Sequence, residues 1–314
     1  MEPTQVFLQI TAITAPVFAM VFLGFGLKRI HLLNDSFIGV ASNLIFKATM
    51  PTLFFLSISK ANLSEAIQLD LLLYITVGTL FAFFASWWWA VRTLQPVQRS
   101  AFVQGSFRGN CGVVSYALVV SFFGEWGMSV GGVLAGYVIV LFNALAVFIL
   151  AFYSPTFTFS PKNMAKELAR NPLIVSVVLG LLAAAVHLRL PMWLETSASY
   201  FAQMTLPLAL ICIGGTLSVA GLKSSGWPSL QSAFIKLALA PVLGCALAWA
   251  LGLDGRSLVV LWLFLSSPTA VASFAMALAA KGDGKLAANI IAVTTLFSMF
   301  TVTFGTWVLR VAGH

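Results

Sequence analysis

The stretch P-V-F-A-M-V-F-L-G-F-G-L-K-R-I-H at residues 16–31 returns at residues 172–187 as P-L-I-V-S-V-V-L-G-L-L-A-A-A-V-H. The proline, one glycine and the histidine are each displaced by 156 positions, and Pro51 recurs as Pro207 at the same interval. Since the chain has 314 residues, this interval halves it almost evenly. Two apolar copies that each cross a bilayer an odd number of times must insert in opposite orientations, which is the inverted-repeat plan of many secondary transporters.

The composition is that of a membrane protein. Hydrophobic residues make up 60% of the chain and charged residues only 8%, with a mean hydropathy of +0.98, whereas a soluble domain carries about 25% charged residues. Several apolar stretches are long enough to span about 30 Å of hydrocarbon as helices. Because a bilayer requires backbone groups to be satisfied internally, we expect an all-α integral membrane protein.

Apolar runs and their punctuation predict ten transmembrane helices, five in each half. The first five-helix repeat is expected at 1–152, a cytoplasmic linker at 153–170, and the second, inverted repeat at 171–314. The predicted spans are 6–27, 37–58, 71–91, 100–123, 128–152, 172–188, 199–219, 229–251, 258–280 and 286–311.

Lysine and arginine set the expected orientation. Ten of them lie in loops that follow odd-numbered spans: Lys28, Arg29, Arg92, Arg99, Lys162, Lys166, Arg170, Lys223, Lys281 and Lys285. The opposite loops hold four: Lys60, Arg189, Arg256 and Arg310. Because cytoplasmic loops are enriched in these residues, we expect a multi-pass protein of the inner cell membrane with both termini outside the cytoplasm.

Several classes of function lack their sequence signature. Cys111, Cys212 and Cys245 lie inside apolar segments, which argues against a disulfide framework and against a metal site. There is no phosphate-binding loop and no cluster of acids and histidines within the spans, so we expect no cofactor, no ATP-driven pumping and no enzyme. The net charge of +8 is interpreted as membrane topology and anion handling rather than nucleic-acid binding.

The ionisable residues within the predicted spans are all basic. The nine acids lie in loops or at span ends, which leaves Lys47, Arg108 and Lys236 inside. A charge at the bilayer centre costs at least about 2.5–3.5 kcal/mol, and such residues are functional by default. Unpaired positive charge suits an anion better than a cation.

Arg108 is the strongest candidate for binding that anion. It lies about nine residues, or ~13 Å, into the fourth span, near the midplane. Gly109 and Asn110 follow and weaken the helix locally. A guanidinium can hold a carboxylate by two parallel hydrogen bonds. The alternative is that Arg108 only satisfies neighbouring backbone carbonyls.

The two intramembrane lysines can have either a substrate-binding or a snorkelling role. Lys47 shares a predicted helix face with Asn43 and Pro51, so it either neutralises further negative charge on the substrate or snorkels. Lys236 lies only about seven residues into the eighth span, and there we expect its side chain to snorkel to the cytoplasmic face. The repeated His31 and His187 lie at span ends, where capping or interfacial roles are expected.

The ninth span carries a break at Ser267, Pro268 and Thr269, because a proline frees a carbonyl and clashes with the preceding turn. Asn110 displaced by 156 falls at position 266, so the weak points of the fourth and ninth spans correspond. Paired interruptions in two repeats point to a midplane substrate site. Further polar groups either line the path or hold helices together: Asn143, Thr294, Thr295, Ser298 and Thr301.

Seven short motifs follow one another along the chain: P-V-F-x5-G-F-G-L-K-R-I-H-L-L (16–33), L-I-F-K-A-T-M-P (44–51), F-R-G-N-C-G (107–112), N-P-L-I-V-S-V-V-L-G-L-L (171–182), L-P-L-A-L-I-C-I-G-G (206–215), S-P-T-A-V-A-S (267–273) and T-T-L-F-S-M-F-T (294–301). In order and spacing they resemble the auxin efflux carrier family, which includes plant auxin exporters and bacterial malonate permeases. The resemblance spans nearly the whole chain.

The resemblance implies a fold and a mode of action. The fold is a five-plus-five inverted repeat with crossed, broken helices four and nine, as in sodium/proton antiporters and bile-acid transporters. The action is elevator-type alternating access of an organic anion by a homodimer. Ser115 and Ala117 stand where members often have Gly and Pro, so the first break is expected nearer 109–112. Lys47 replaces a usually neutral residue, which favours a more negative substrate such as malonate.

Three functions compete at this point. The leading one is a secondary transporter of a mono- or dicarboxylate, whose substrate-binding residues we expect to be Arg108, Asn110, Gly109, Lys47, Asn43, Pro268, Ser267 and Thr269. The second is a Na⁺-coupled symporter resembling bile-acid carriers. The third, a ligand sensor or intramembrane enzyme, lacks a signalling domain and catalytic groups.

Overall fold

A computed structural model describes residues 2–154, 160–217 and 226–313, and within those ranges the regular structure is helical. The described residues up to Arg170 contain eight α-helices: α1 Pro3–Arg29, α2 Asp35–Leu44, α3 Met50–Ser59, α4 Leu63–Ala66, α5 Leu69–Thr93, α6 Pro96–Phe107, α7 Tyr116–Tyr153 and α8 Pro161–Arg170. The described part of the second half contains eight more: α9 Pro172–Ala185, α10 Met192–Gln203, α11 Thr205–Thr216, α12 Trp227–Phe234, α13 Ala240–Ala250, α14 Gly255–Leu265, α15 Ala272–Ala279 and α16 Gly284–Val311.

The described residues contain three π-helical turns: π1 Ile45–Thr49 joins α2 to α3, π2 Cys111–Ser115 leads into α7, and π3 Ile235–Leu239 joins α12 to α13. Two of them end two residues before a proline, at Pro51 and Pro241. A proline has no N–H to donate, and its ring clashes with the carbonyl four residues earlier. A wider turn relieves both problems, so the prolines explain why the helices loosen here.

Seven helical stretches of the described residues are long and apolar enough to cross a membrane. They are Pro3–Arg29, Asp35–Ser59, Leu69–Thr93, Cys111–Tyr153, Met192–Thr216, Trp227–Ala250 and Gly284–Val311. This confirms the expected all-α membrane protein. The remaining predicted spans contain shorter helices, because the fourth and ninth are interrupted and α9 has only 14 residues.

One long stretch combines what the sequence predicts as separate segments. Cys111–Tyr153 has 43 residues, or about 65 Å of continuous helix, twice the hydrocarbon thickness. Gly124 divides it, with φ 56° and ψ −132°. Only glycine adopts such a conformation without strain. The division falls between the predicted fourth and fifth spans.

The sequence repeat reappears in the backbone. His31 follows α1 with φ 61°, and His187 follows α9 with φ 51°. In both places the histidine N–H and the N–H after it bond back to the last turn: His31 to Lys28 and Leu32 to Leu27, His187 to Ala184 and Leu188 to Ala183. This is the same Schellman ending twice, and it gives the histidines the capping position expected for them.

The first helix of each sequence copy packs on a helix of the other copy. α1 packs on α11, and its repeat partner α9 packs on α3. Glycines allow both approaches: a Cβ at Gly24 would lie 2.7 Å from the backbone carbon of Ile211, and one at Gly180 would lie 3.0 Å from Ile58 Cβ. Small residues at a helix interface let backbones approach closely.

Parts of the predicted organisation fall outside the described residues. These are 155–159 of the expected linker, the end of the predicted span 199–219, and Lys223 with the rest of 218–225. The remainder of the linker contains α8.

Candidate functional site

The two interruptions meet. α6 ends at Phe107 and π2 begins at Cys111, whereas α14 ends at Leu265 and α15 begins at Ala272. Between these ends the two segments run antiparallel and pair through a β-bridge of Gly109 with Thr269. Asn110 N donates to Pro268 O at 2.7 Å, and Ala270 N donates to Arg108 O at 3.0 Å. We call residues 108–110 and 266–271 the crossing.

Side chains satisfy the carbonyls at the end of α14. Pro268 has no N–H for the carbonyl of Phe264, which instead accepts from Ser267 Oγ at 3.0 Å. The carbonyl of Leu265 accepts from Lys236 Nζ at 2.7 Å. Unsatisfied backbone groups are costly away from water, so these contacts stabilise the interruption.

Thr269 links the crossing to two further helices. Its N–H donates to Thr294 Oγ1 at 3.0 Å, and its own Oγ1 donates to the carbonyl of Gly105 at 2.7 Å. Ser267 and Thr269 are buried. Ser267, Pro268 and Thr269 are not among the described residues that line the cavity beside the crossing. The hydrogen bonds of Pro268 and Thr269 instead hold the two interrupted helices together, and that of Ser267 satisfies the end of α14.

A cavity of about 680 Å³ lies beside the crossing. Its walls come from both halves of the chain. They are formed by residues of the α2–π1–α3 segment, the first interruption with π2, the middle of α7, the start of α9, α11, and the second interruption with α15. The polar members of this lining are Ser42, Asn43, Arg108, Asn110, Cys111, Asn143, Asn171, Cys212 and Thr216.

Arg108 reaches into this cavity with neutral partners. Its Nη2 donates to Asn143 Oδ1 at 2.8 Å, and its Nη1 donates to the sulfur of Met276 at 2.8 Å. A thioether is a weak acceptor, and neither partner carries a charge. The guanidinium therefore keeps its positive charge available for an anion, with two adjacent N–H groups in the fork that suits a carboxylate.

The cavity has no acidic lining within the described ranges. The ion pairs found among the described residues join Lys28 to Asp35 and Lys60 to Glu195, and neither pair includes a residue of this cavity lining. No group of three or more His, Cys, Asp or Glu residues suited to a metal occurs in that same part of the chain. The described lining therefore offers a ligand one cation, several amides, hydroxyls and thiols, and an apolar wall.

Of the other predicted site residues, Asn43, Gly109 and Asn110 line the cavity. Lys47 is exposed on π1 and does not belong to the described lining. The prediction that Lys47 shares a face with Asn43 assumes 3.6 residues per turn. A π turn is wider, so it rotates Lys47 away from that face.

The expectation that Lys236 snorkels is wrong. Its side chain lies inside the protein with 2% exposure and bonds to the end of α14. The π3 turn that carries it packs on α5, α6 and α16, so the path to the lipid interface is closed. Asn143 and Met276 were also not singled out as partners of Arg108, because no local pattern brings α7 and α15 to the interruption.

Fold and site together define a class: a multi-pass, all-helical membrane protein with an anion-compatible cavity at two interrupted helices. The family described as membrane transport protein matches residues 10–306. The chain therefore belongs to this family, the auxin efflux carrier family that its motifs resemble.

Similar proteins are named as transporters. A protein of Rhizobium meliloti named "putative malonate transporter" is 27% identical, with 96% of both chains covered. Uncharacterised transporters of Methanocaldococcus jannaschii and Methanothermobacter thermautotrophicus are each 22% identical, over 93% and 97% of this chain and 96% and 100% of theirs. These relatives and the family support a role in membrane transport rather than catalysis.

Proposed function

We propose that this protein is a secondary active transporter of a small organic anion, a mono- or dicarboxylate, that binds one carboxylate at Arg108. The observation that carries this proposal is the guanidinium held by neutral partners in a cavity without acidic lining among the described residues. The starts of π2 and α15 border the same cavity. Helix N-termini carry partial positive charge and unsatisfied N–H groups, which favour an anion further.

Alternating access is supported by a second cavity. It has a volume of about 440 Å³ and is lined by residues including Leu53, Lys60 and Glu125. Met50 borders the first cavity and Leu53 the second, one turn further along α3. A substrate path that is closed at its middle would leave two such cavities, separated by about one turn of helix.

The remaining features of the proposal follow the inverted-repeat plan. The protein would have ten membrane-crossing segments, of which the fourth and ninth are interrupted. An even number puts both termini on the same side, and the distribution of lysine and arginine favours the side outside the cytoplasm. The first cavity reaches Asn171 and Thr216, beside segments expected in the cytoplasm, and the second reaches Lys60, expected outside. The chain would then face inward, and an elevator movement of the crossing in a homodimer would exchange the two cavities.

Substrate class follows from the lining and from one relative. A dicarboxylate such as malonate agrees with the name of the Rhizobium protein. A monocarboxylate with an apolar body agrees with a cavity whose cation is Arg108 and whose walls include Met50 and Phe142. Uptake of malonate, succinate and phenylacetate into proteoliposomes decides between the two.

Arg108→Gln tests the site in the same assay. Hydrogen bonds to charged groups contribute about 1.5–3 kcal/mol, so uptake at low substrate should fall roughly tenfold to a hundredfold. Arg189→Gln removes a charge from an exposed loop residue and should leave uptake unchanged. If Arg108→Gln inserts, folds and transports like wild type, the proposal is wrong.

A Na⁺-coupled symporter resembling bile-acid carriers is the alternative. Near the crossing, Gln104 Oε1, Ser115 Oγ and Ser273 Oγ are buried without a hydrogen-bond partner in the described residues. Such oxygens are ligands that a hard cation prefers. Replacing Na⁺ by choline separates the two: unchanged uptake eliminates Na⁺ coupling, and loss of uptake establishes it.

A further inference from the structure

Lys236 is a buried cation that the proposed anion site does not use directly. It lies on π3 with 2% exposure, and its ammonium donates to the carbonyl of Leu265 at 2.7 Å. Buried charges persist only where hydrogen bonds or opposite charge compensate them. The compensation here comes from a helix end, since Leu265 is the last residue of α14.

The same ammonium lies beside the other interrupted helix. A Cβ built on Gly109 would lie 3.0 Å from Lys236 Nζ, and Gly109 is two residues past the end of α6. The C-terminal ends of α6 and α14 therefore both lie close to this cation. Helix C-termini carry partial negative charge, which a nearby ammonium stabilises.

The two sides of the crossing therefore differ in the sign of the helix-end partial charges that they carry. The cavity side carries Arg108 and the N-terminal starts of π2 and α15. The opposite side carries the C-terminal ends of α6 and α14, with Lys236 between them. Without that ammonium, the two partial negative charges behind the anion site would lose the cation that offsets them.

We propose that Lys236 is a positioning residue of the anion site, whose ammonium joins the C-terminal ends of both interrupted helices and so fixes the crossing that holds Arg108. The inference rests on the proposed function. A short chain of contacts transmits the effect: Lys236 holds the carbonyl of Leu265, and five residues further along, Ala270 N holds the carbonyl of Arg108.

Two substitutions separate charge from hydrogen bonding. Lys236→Met removes both, whereas Lys236→Gln keeps a donor and removes the charge. Lys285→Met is the matched control, because Lys285 is an exposed lysine in the first turn of α16. Folding of each variant is checked by gel filtration and thermal unfolding in detergent.

The first measurement is binding of malonate and of phenylacetate as probes. We expect the dissociation constant of the bound probe to rise at least tenfold in Lys236→Met and in Lys236→Gln, with no change in Lys285→Met. Affinity equal to wild type in Lys236→Gln would show that a neutral donor suffices, and it would overturn the role of the charge.

The second measurement needs no substrate. Both Cys111 and Cys245 are buried, but Cys111 borders the cavity directly after the crossing, whereas Cys245 lies on α13 and is not part of the described lining. We expect alkylation of Cys111 by N-ethylmaleimide, located by peptide mass spectrometry, to change at least fivefold in Lys236→Met while that of Cys245 does not.

These two readouts keep the proposals distinguishable. If wild type binds neither probe but Cys111 alkylation responds to Lys236→Met, the proposed substrate class fails and the coupling of Lys236 to the crossing stands. If wild type binds a probe and both readouts are unchanged in Lys236→Met, the positioning role is overturned. Loss of folded protein in both variants would assign Lys236 to stability alone and would also overturn it.

Discussion

Arg108 contributes its backbone to the crossing and its side chain to the cavity. Its backbone belongs to the crossing, since its carbonyl accepts from Ala270 N. Its side chain points instead to Asn143 and Met276 in the cavity. The guanidinium is therefore not used up on backbone carbonyls, which leaves it for a ligand.

Asn143 offers a direct test of the charge argument. Asn143→Asp keeps the shape of the side chain but places a carboxylate about 2.8 Å from the guanidinium. The new ion pair competes with the substrate, because a like charge already occupies the site of the anion. We expect the dissociation constant for a carboxylate probe to rise about tenfold or more, measured by calorimetry in detergent.

The control for that change is Asn34→Asp. Asn34 caps α2 by accepting from Phe37 N, and aspartate caps a helix equally well. It should bind the probe like wild type. Unchanged or tighter binding of the carboxylate probe in Asn143→Asp would argue against an anion site at Arg108.

Sequence reasoning could identify Arg108, Gly109 and Asn110 because their signal is local. A basic residue followed by helix-weakening residues is visible in a few consecutive positions. The burial of Lys236 could not be predicted, because the position of a residue along a span does not show whether its side chain points to lipid or into the protein. Its burial depends on how α12 and π3 pack beside α6 and α16, which only tertiary structure reveals.

At the scale of elements, the prolines explain both successes and errors. Pro268 predicts the interruption after α14, since it lacks the N–H that the preceding turn needs. Pro51 predicts a disturbed helix but not its form. The π turn before it rotates Lys47 away from the face of Asn43, so the shared face expected of an ideal helix is lost.

Close packing of α1 on α11 yields a stability prediction. Gly24→Ala places a methyl group 2.7 Å from the carbonyl carbon of Ile211, so backbone must move. Overpacking typically costs about 1–3 kcal/mol. We expect the unfolding temperature in detergent to fall by several degrees.

Gly26 provides a control on the same helix. A Cβ there would meet nothing within 4 Å, so Gly26→Ala should be neutral or stabilise by about 0.5–1 kcal/mol through lower backbone entropy. Equal unfolding temperatures for the two variants would show that α1 and α11 do not approach as described.

At the scale of the whole molecule, the 156-residue interval was the most informative feature of the sequence. It anticipates the paired Schellman endings at His31 and His187 and the exchanged packing of α1 with α11 and of α9 with α3. The cavity lining could not be anticipated, because it combines segments separated by more than 200 residues, from Ser42 to Met276.

If the two copies are inverted, as proposed, equivalent positions should be exposed on opposite faces of the membrane. Leu32 and Leu188 are exposed and separated by 156 residues. In a background with the three native cysteines replaced by alanine, Leu32→Cys should react with a membrane-impermeant thiol reagent from the cytoplasmic face only. Leu188→Cys should react from the outer face only.

Inside-out and right-side-out vesicles provide the two faces for that labelling. The cysteine-free background serves as the blank. Labelling of both positions from the same face would mean that the copies are parallel, and the five-plus-five inverted arrangement would then be wrong.

The central claim is that Arg108 binds the carboxylate of the transported anion. Calorimetric titration of purified wild type and Arg108→Gln with malonate and phenylacetate tests it most directly, with Arg189→Gln as control. We expect binding to wild type and to Arg189→Gln, and at least about tenfold weaker binding to Arg108→Gln. Equal affinity in wild type and in folded Arg108→Gln would contradict it.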